Sequence, residues 1–139
     1  MNELKNKHTG SCLCKSITYS FSGEVNEYGF CHCTSCRKAS GSAFSANAGV
    51  RAETFVLTDV KGFIKEYESS KGTYRFFCSN CGSLLFSKID SNPDYIRVRL
   101  GSLDTSVTKK FGRHTFVSAK ADWFDIADEV EQHEGKMSS

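Results

Sequence analysis

Seven cysteines in a chain of 139 residues, gathered into three tight groups, limit what this sequence can fold into more than any other feature. The groups are Cys12-x-Cys14, then Cys31-His32-Cys33-x-x-Cys36, then Cys78-Ser79-Asn80-Cys81-Gly82. The last has the form of a zinc knuckle. Two thiolates separated by two residues reach one ion when the backbone turns tightly, and Gly82 permits that turn. Zn2+ suits such ligands because it accepts tetrahedral thiolates at about 2.3 Å without geometric penalty. The bland alternative is scattered buried cysteines acting as small hydrophobes, and the one- and two-residue spacings argue against it.

The compartment supports the metal reading. The opening residues MNELKNKHTG contain no apolar signal core, and nowhere is there a run of about 18 apolar residues. The expectation is a soluble, cytoplasmic chain without a membrane span. Thiols there stay reduced, so close cysteine spacings point to metal rather than to disulfides. An odd count cannot pair off completely, but it divides as four plus three.

Spacing leaves two partitions open. Cys33 and Cys36 could join Cys78 and Cys81 in a conventional four-thiolate site, which strands Cys12, Cys14 and Cys31. The alternative joins Cys12 and Cys14 with Cys78 and Cys81, and leaves Cys31, Cys33 and Cys36 together. We prefer the second, because three ligands within six residues wrap one ion locally and leave its fourth position open. That is the pattern of a catalytic zinc, whereas four thiolates make a closed structural site. His32 lies between two ligands, so its side chain is expected to point away from the ion, in a scaffold or solvent role. His8, His114 and His133 stand alone in the sequence and are not expected to be ligands.

Alternation with period two recurs along the chain, in Ile17/Tyr19/Phe21, Phe44/Ala46/Ala48/Val50, Tyr74/Phe76/Cys78 and Ile96/Val98/Leu100. Residues 63–68 and 84–89 also read as strands. Two short helices are expected, one turn after Cys33 through Arg37 and Lys38, and a terminal one over Asp125 to Gln132. The tail 133–139 is polar and expected to fray. With eleven Phe and five Tyr, the composition suits packed sheets. The formal net charge is +2, with acids and bases interleaved, which gives no electrostatic footprint for nucleic acid or an anionic membrane. The expected architecture is all-β: a single antiparallel domain over 1–139.

The run Gly29-Phe30-Cys31-His32-Cys33-Thr34-Ser35-Cys36-Arg37-Lys38-Ala39-Ser40-Gly41-Ser42 resembles the signature of the glutathione-dependent formaldehyde-activating enzyme family, which also includes centromere protein V. The likeness continues through residues 9–14, 77–82 and 101–104, and ends at 114–124, so the family-like core runs over about 8–126. Asp122 departs from the pattern, where family members commonly carry proline before the aromatic pair. The resemblance implies a β-tent fold with two zinc ions per chain. It places the structural ion on Cys12, Cys14, Cys78 and Cys81, and the catalytic ion on Cys31, Cys33 and Cys36. It also implies carbon–sulfur lyase chemistry on the adduct of glutathione and formaldehyde, so a small-molecule thiol is the expected partner.

Charge makes that chemistry plausible. Three thiolates on Zn2+ give a net charge of about −1, a weak Lewis acid suited to holding a fourth soft ligand such as a substrate thiolate. A thiolate beside a small carbonyl adds to give a hemithioacetal, and the reverse splits a C–S bond. Ser40, Ser42 and His32 are near enough in sequence to relay a proton, although serines after a knuckle are commonly turn and cap residues. Arg37 and Lys38 could meet glutathione carboxylates or form a solvated basic turn. The rival reading is a non-enzymatic zinc-stabilised module that binds a protein.

Overall fold

The structure is a computed structural model and describes residues 7–25, 28–107 and 112–136. Two sheets pack on one another. The smaller runs β1 (Lys7–Ser11), β2 (Thr18–Ser22) and β5 (Val56–Thr58), in the order β1-β2-β5. The larger contains β3 (Tyr28–Cys31), β4 (Ser45–Arg51), β6 (Ile64–Ser70), β7 (Thr73–Cys78), β8 (Leu84–Ile89), β9 (Tyr95–Arg99), β10 (Gly112–Thr115) and β11 (Glu131–Gln132). Its order is β11-β10-β3-β4-β9-β8-β7-β6. One α-helix, α1 (Thr34–Ser40), follows β3. The chain is all-β, as its alternation predicts. Among the described residues no helix is long and apolar enough to cross a membrane.

Alternation builds the core. Tyr19 and Phe21 from the small sheet, with Ile17 and Val25 flanking β2, join Ala48, Val50, Leu85, Phe86, Ile96 and Val98 from the large one in a single cluster. Burying large side chains of this kind stabilises by about 1.5–3 kcal/mol each. Aromatic rings bind the layers: Phe76 stacks on Phe86 at 4.6 Å, Phe86 meets Phe55 at 5.0 Å, and Phe55 meets Tyr19 at 5.3 Å. Gly10 stands opposite Tyr19 across the β1–β2 ladder, and a Cβ there would lie 2.2 Å from the tyrosine ring. The missing side chain lets Tyr19 lie flat over β1 and reach the Ser102 hydroxyl at 2.6 Å.

Two expectations are corrected. The large sheet is not purely antiparallel, because β10 pairs in parallel with both β3 and β11. The long excursion between β3 and β10 supplies the crossover that a parallel pair requires. The expected helix over 125–132 does not form. Glu131 and Gln132 instead pair beside Arg113 and His114, and the Asp128 carboxylate accepts from the Val130 N–H and faces His114. A free sheet edge satisfies this segment's backbone better than a short isolated helix could. The polar tail is partly tied down as well: the Phe116 N–H donates to the Gly135 carbonyl and the Val117 N–H to the His133 carbonyl. Residues 137–139 of the tail lie outside the described residues.

Candidate metal centres

The cysteines gather into two clusters, divided as four plus three. Cys12, Cys14, Cys78 and Cys81 form one and Cys31, Cys33 and Cys36 the other, with the sulfurs of each cluster within 4.8 Å of one another.

The quartet forms where two tight turns meet. After β1 the chain turns back on itself, with the Lys15 N–H donating to the Cys12 carbonyl at 3.0 Å and Lys15 at φ 64°. After β7 the Gly82 N–H donates to the Cys78 carbonyl at 2.7 Å, with Gly82 at φ 81°. This is the turn that the glycine was expected to permit. The sulfurs of Cys12 and Cys14 are 3.6 Å apart, and those of Cys14 and Cys78 are 3.8 Å apart. A tetrahedral ion with bonds of about 2.3 Å needs separations of about 3.8 Å. Cys12 and Cys78 are buried, whereas Cys14 is exposed. Burial pushes the Cys78 thiol up to about 11, while a hydrogen bond from Ser83 draws Cys81 down to about 5.

The triplet is local. Cys31 ends β3, paired with Ser45 on one side and Thr115 on the other. Cys33 caps α1, its sulfur accepting from the Cys36 N–H at 3.3 Å. Cys36 lies buried in the first turn. A hydrogen bond from Cys31 draws Cys36 down to about 4, and the same bond, with burial, pushes Cys31 up. The Arg75 guanidinium also donates to the Cys36 sulfur, at 3.7 Å. Soft sulfur donors without oxygen ligands fit zinc in both clusters. Among the described residues no His, Asp, Glu or further Cys joins the triplet as a fourth ligand.

The neighbours take roles that the sequence read only partly. Ser40 and Ser42 donate to backbone carbonyls, Ser40 to Cys36 at 2.7 Å and Ser42 to Phe44 at 2.7 Å, so they serve the turn after α1. Lys38 is exposed and Arg37 half-buried. His32 is fully buried and outside the triplet, as a scaffold residue should be. Its Nε2 lies 2.8 Å from Nδ1 of His114, whose Nε2 lies 3.1 Å from the Asp128 carboxylate. With Asp128 accepting from His114, the His114 Nδ1 accepts from His32. His114 is therefore not alone, contrary to its place in the sequence. His8 meets the Thr105 hydroxyl at 2.7 Å, and His133 meets Glu131 at 3.5 Å. The His114 chain depends on the parallel β3–β10 register, which brings His114 beside Phe30, and on the tail folding back. No local spacing signals either.

The far face of the large sheet was missed altogether. Arg75 and Arg99 occupy the polar phase of their strands, yet both are buried. Arg99 donates to the Asn47 side-chain oxygen and to Ser87, and the Asn47 amide donates to the Ser45 hydroxyl at 2.9 Å. The one available signal was arginine recurring mid-strand opposite small polar residues.

A family description, "Glutathione-dependent formaldehyde-activating enzyme", matches residues 7–119, which include all seven cysteines. The chain belongs to this family. It is 29% identical over 126 residues to an "Uncharacterized lyase" of Schizosaccharomyces pombe, covering 89% of this chain and 88% of that one. A protein of Aspergillus flavus named "Putative glutathione-dependent formaldehyde-activating enzyme" is 27% identical over 81 residues, 57% of this chain and 42% of that one. The same figures hold for a protein of that name in Aspergillus oryzae. The fold resembles the crystal structure of a Rhodobacter sphaeroides protein, with a TM-score of 0.61 and 20% identity over 70% of this chain and 89% of that one. At that identity the likeness shows the fold alone.

Proposed function

We propose that this family member is a zinc-dependent enzyme of the carbon–sulfur lyase type, making or splitting the hemithioacetal of a thiol such as glutathione and a small aldehyde such as formaldehyde. The observation that carries the reading is the three-sulfur cluster without a fourth protein ligand among the described residues, in a chain whose other cluster has four. Cys12, Cys14, Cys78 and Cys81 would hold a structural ion, and Cys31, Cys33 and Cys36 a second ion with one position left for substrate. Bound there, zinc supplies a soft centre that favours a substrate thiol as its thiolate.

The chain's own residues prepare that place. The Cys36 N–H and the Arg75 guanidinium each donate to a triplet sulfur, which orients Cys33 and Cys36 toward a shared ion. The His32–His114–Asp128 chain holds the backbone between Cys31 and Cys33 against β10, so the ligand loop is fixed before substrate arrives. In the overall reaction the thiol proton ends on the carbonyl oxygen as the C–S bond forms, so atoms balance without another reactant.

Cobalt in place of zinc tests the reading, because its visible spectrum reports coordination. Glutathione should change the spectrum of the parent and not that of Cys33→Ser. A parent spectrum indifferent to glutathione would show that the triplet offers no place to a thiol, and the enzyme reading would fall.

A further inference from the structure

Arg75 and Arg99 are only 9% and 6% exposed. Neither has a carboxylate partner among the described residues, where the ion pairs involve other side chains. A buried guanidinium is costly unless its charge is offset, so two on one sheet face require an explanation.

The sheet register shows that they belong together. Ala48, Ile96, Val98 and Phe86 point into the core, so the alternate residues Asn47, Arg99, Ser87 and Arg75 line the opposite face. Asn47 pairs with Arg99 across β4–β9, and Arg75 pairs with Ser87 across β7–β8. This face meets the triplet at two points. Arg75 donates directly to Cys36, and Arg99 connects through Asn47 to Ser45, which pairs with Cys31 across β3–β4. Arg75 spends its Nε on the Ser69 hydroxyl, at 3.0 Å. The Nε of Arg99 is buried with no partner. A fork of this kind is shaped to take a planar, two-oxygen anion.

Charge decides what is missing. Three thiolates with a divalent ion carry a net charge of about −1, which offsets one of the two guanidinium groups. Guanidinium groups keep their charge in proteins, so one positive charge is left over.

We propose that Arg75 and Arg99 form an anion seat beside the triplet that binds a carboxylate of the reacting pair. The inference rests on the reading of the triplet as a thiol site, and it narrows the substrate to acid-bearing molecules. The carboxylate belongs to the thiol or to the aldehyde, and the two sources can be separated.

The test uses the cobalt-loaded protein and matched thiols, thioglycolate against 2-mercaptoethanol and 3-mercaptopropionate against 3-mercaptopropanol. The acid should bind more tightly than its alcohol by about tenfold or more in at least one pair, the value of one charge-assisted hydrogen bond. Arg99→Gln should erase that preference while leaving the alcohol's affinity within about twofold. Arg99→Lys, which keeps the charge and loses the fork, should fall between. Acetate added to the unaltered protein provides an arm free of substitutions, and should compete with the acid but not with the alcohol. If the acids show no preference, glyoxylate offered without thiol should raise the melting temperature of the parent and not of Arg99→Gln, which assigns the carboxylate to the aldehyde. Equal binding of acids and alcohols, with no response to acetate or glyoxylate, overturns the anion seat while the spectral change with every thiol leaves the triplet reading standing. No spectral change with any thiol overturns that reading first.

Discussion

The two cysteine clusters use the same ligand chemistry for different mechanical ends. The quartet brings together turns far apart in the chain, Cys14 and Cys78 being 64 positions apart, and it lies between a turn after the small sheet's β1 and one after the large sheet's β7. The triplet lies within residues 31–36, on a strand end and one helical turn, and closes no long loop. One cluster therefore carries topology, and the other carries only its own local geometry. The donors around them differ too. Cys81 leans on a neutral hydroxyl, Ser83 at 3.3 Å, whereas Cys36 takes a guanidinium. On the proposed reading, a metal clip needs little beyond its sulfurs, whereas a site for chemistry needs surrounding charge.

The largest effect should come from breaking the clip. Binding energy at a structural zinc site is folding energy, on the order of 10 kcal/mol in small zinc domains. Cys78→Ser or Cys12→Ser should yield protein that is insoluble or lacks a cooperative melt by circular dichroism. A Cys78→Ser variant that melts like the parent would erase the contrast between the clusters.

Next comes the support beneath the triplet. His114→Ala strips the buried His32 ring of its partner, which should cost about 1–3 kcal/mol, read from urea denaturation. Asp128→Asn should cost less, because the Asp128 carboxylate is half exposed, at 47%, and an amide oxygen still accepts from His114. If His114→Ala costs nothing, the histidine chain is not what holds the ligand loop.

The smallest effect concerns metal release. With one protein ligand fewer, the triplet ion should leave first, so a limiting chelator should take the metal down from about two ions to about one before the fold melts. Loss of both ions in a single step would mean that the clusters are one cooperative unit.

Much of this contrast could be read from spacing. Tight cysteine groups signal ligands because the geometry is local, and the knuckle glycine at position 82 does what its place predicts. The strands carrying Ile17/Tyr19/Phe21 and Ile96/Val98 followed from alternation, because one face of each is core. What escaped required assembly. Arg75 and Arg99 sit at polar phases, and only the neighbouring strands and the helix turn that phase into a buried one. The segment 125–132 ends in an edge strand instead of forming the expected helix because its partner is the edge of β10, which no local pattern reveals.

The central claim is that the triplet serves chemistry and the quartet serves the fold, and Cys33→Ser tests it most directly. Melting, zinc content and the response to glutathione should be measured on one preparation beside the parent. The account predicts a folded variant whose melting temperature falls by no more than about 5 °C. It should retain about one zinc and show no response to glutathione. A Cys33→Ser variant that collapses as Cys78→Ser is expected to, or one that folds and still responds to glutathione like the parent, would contradict it.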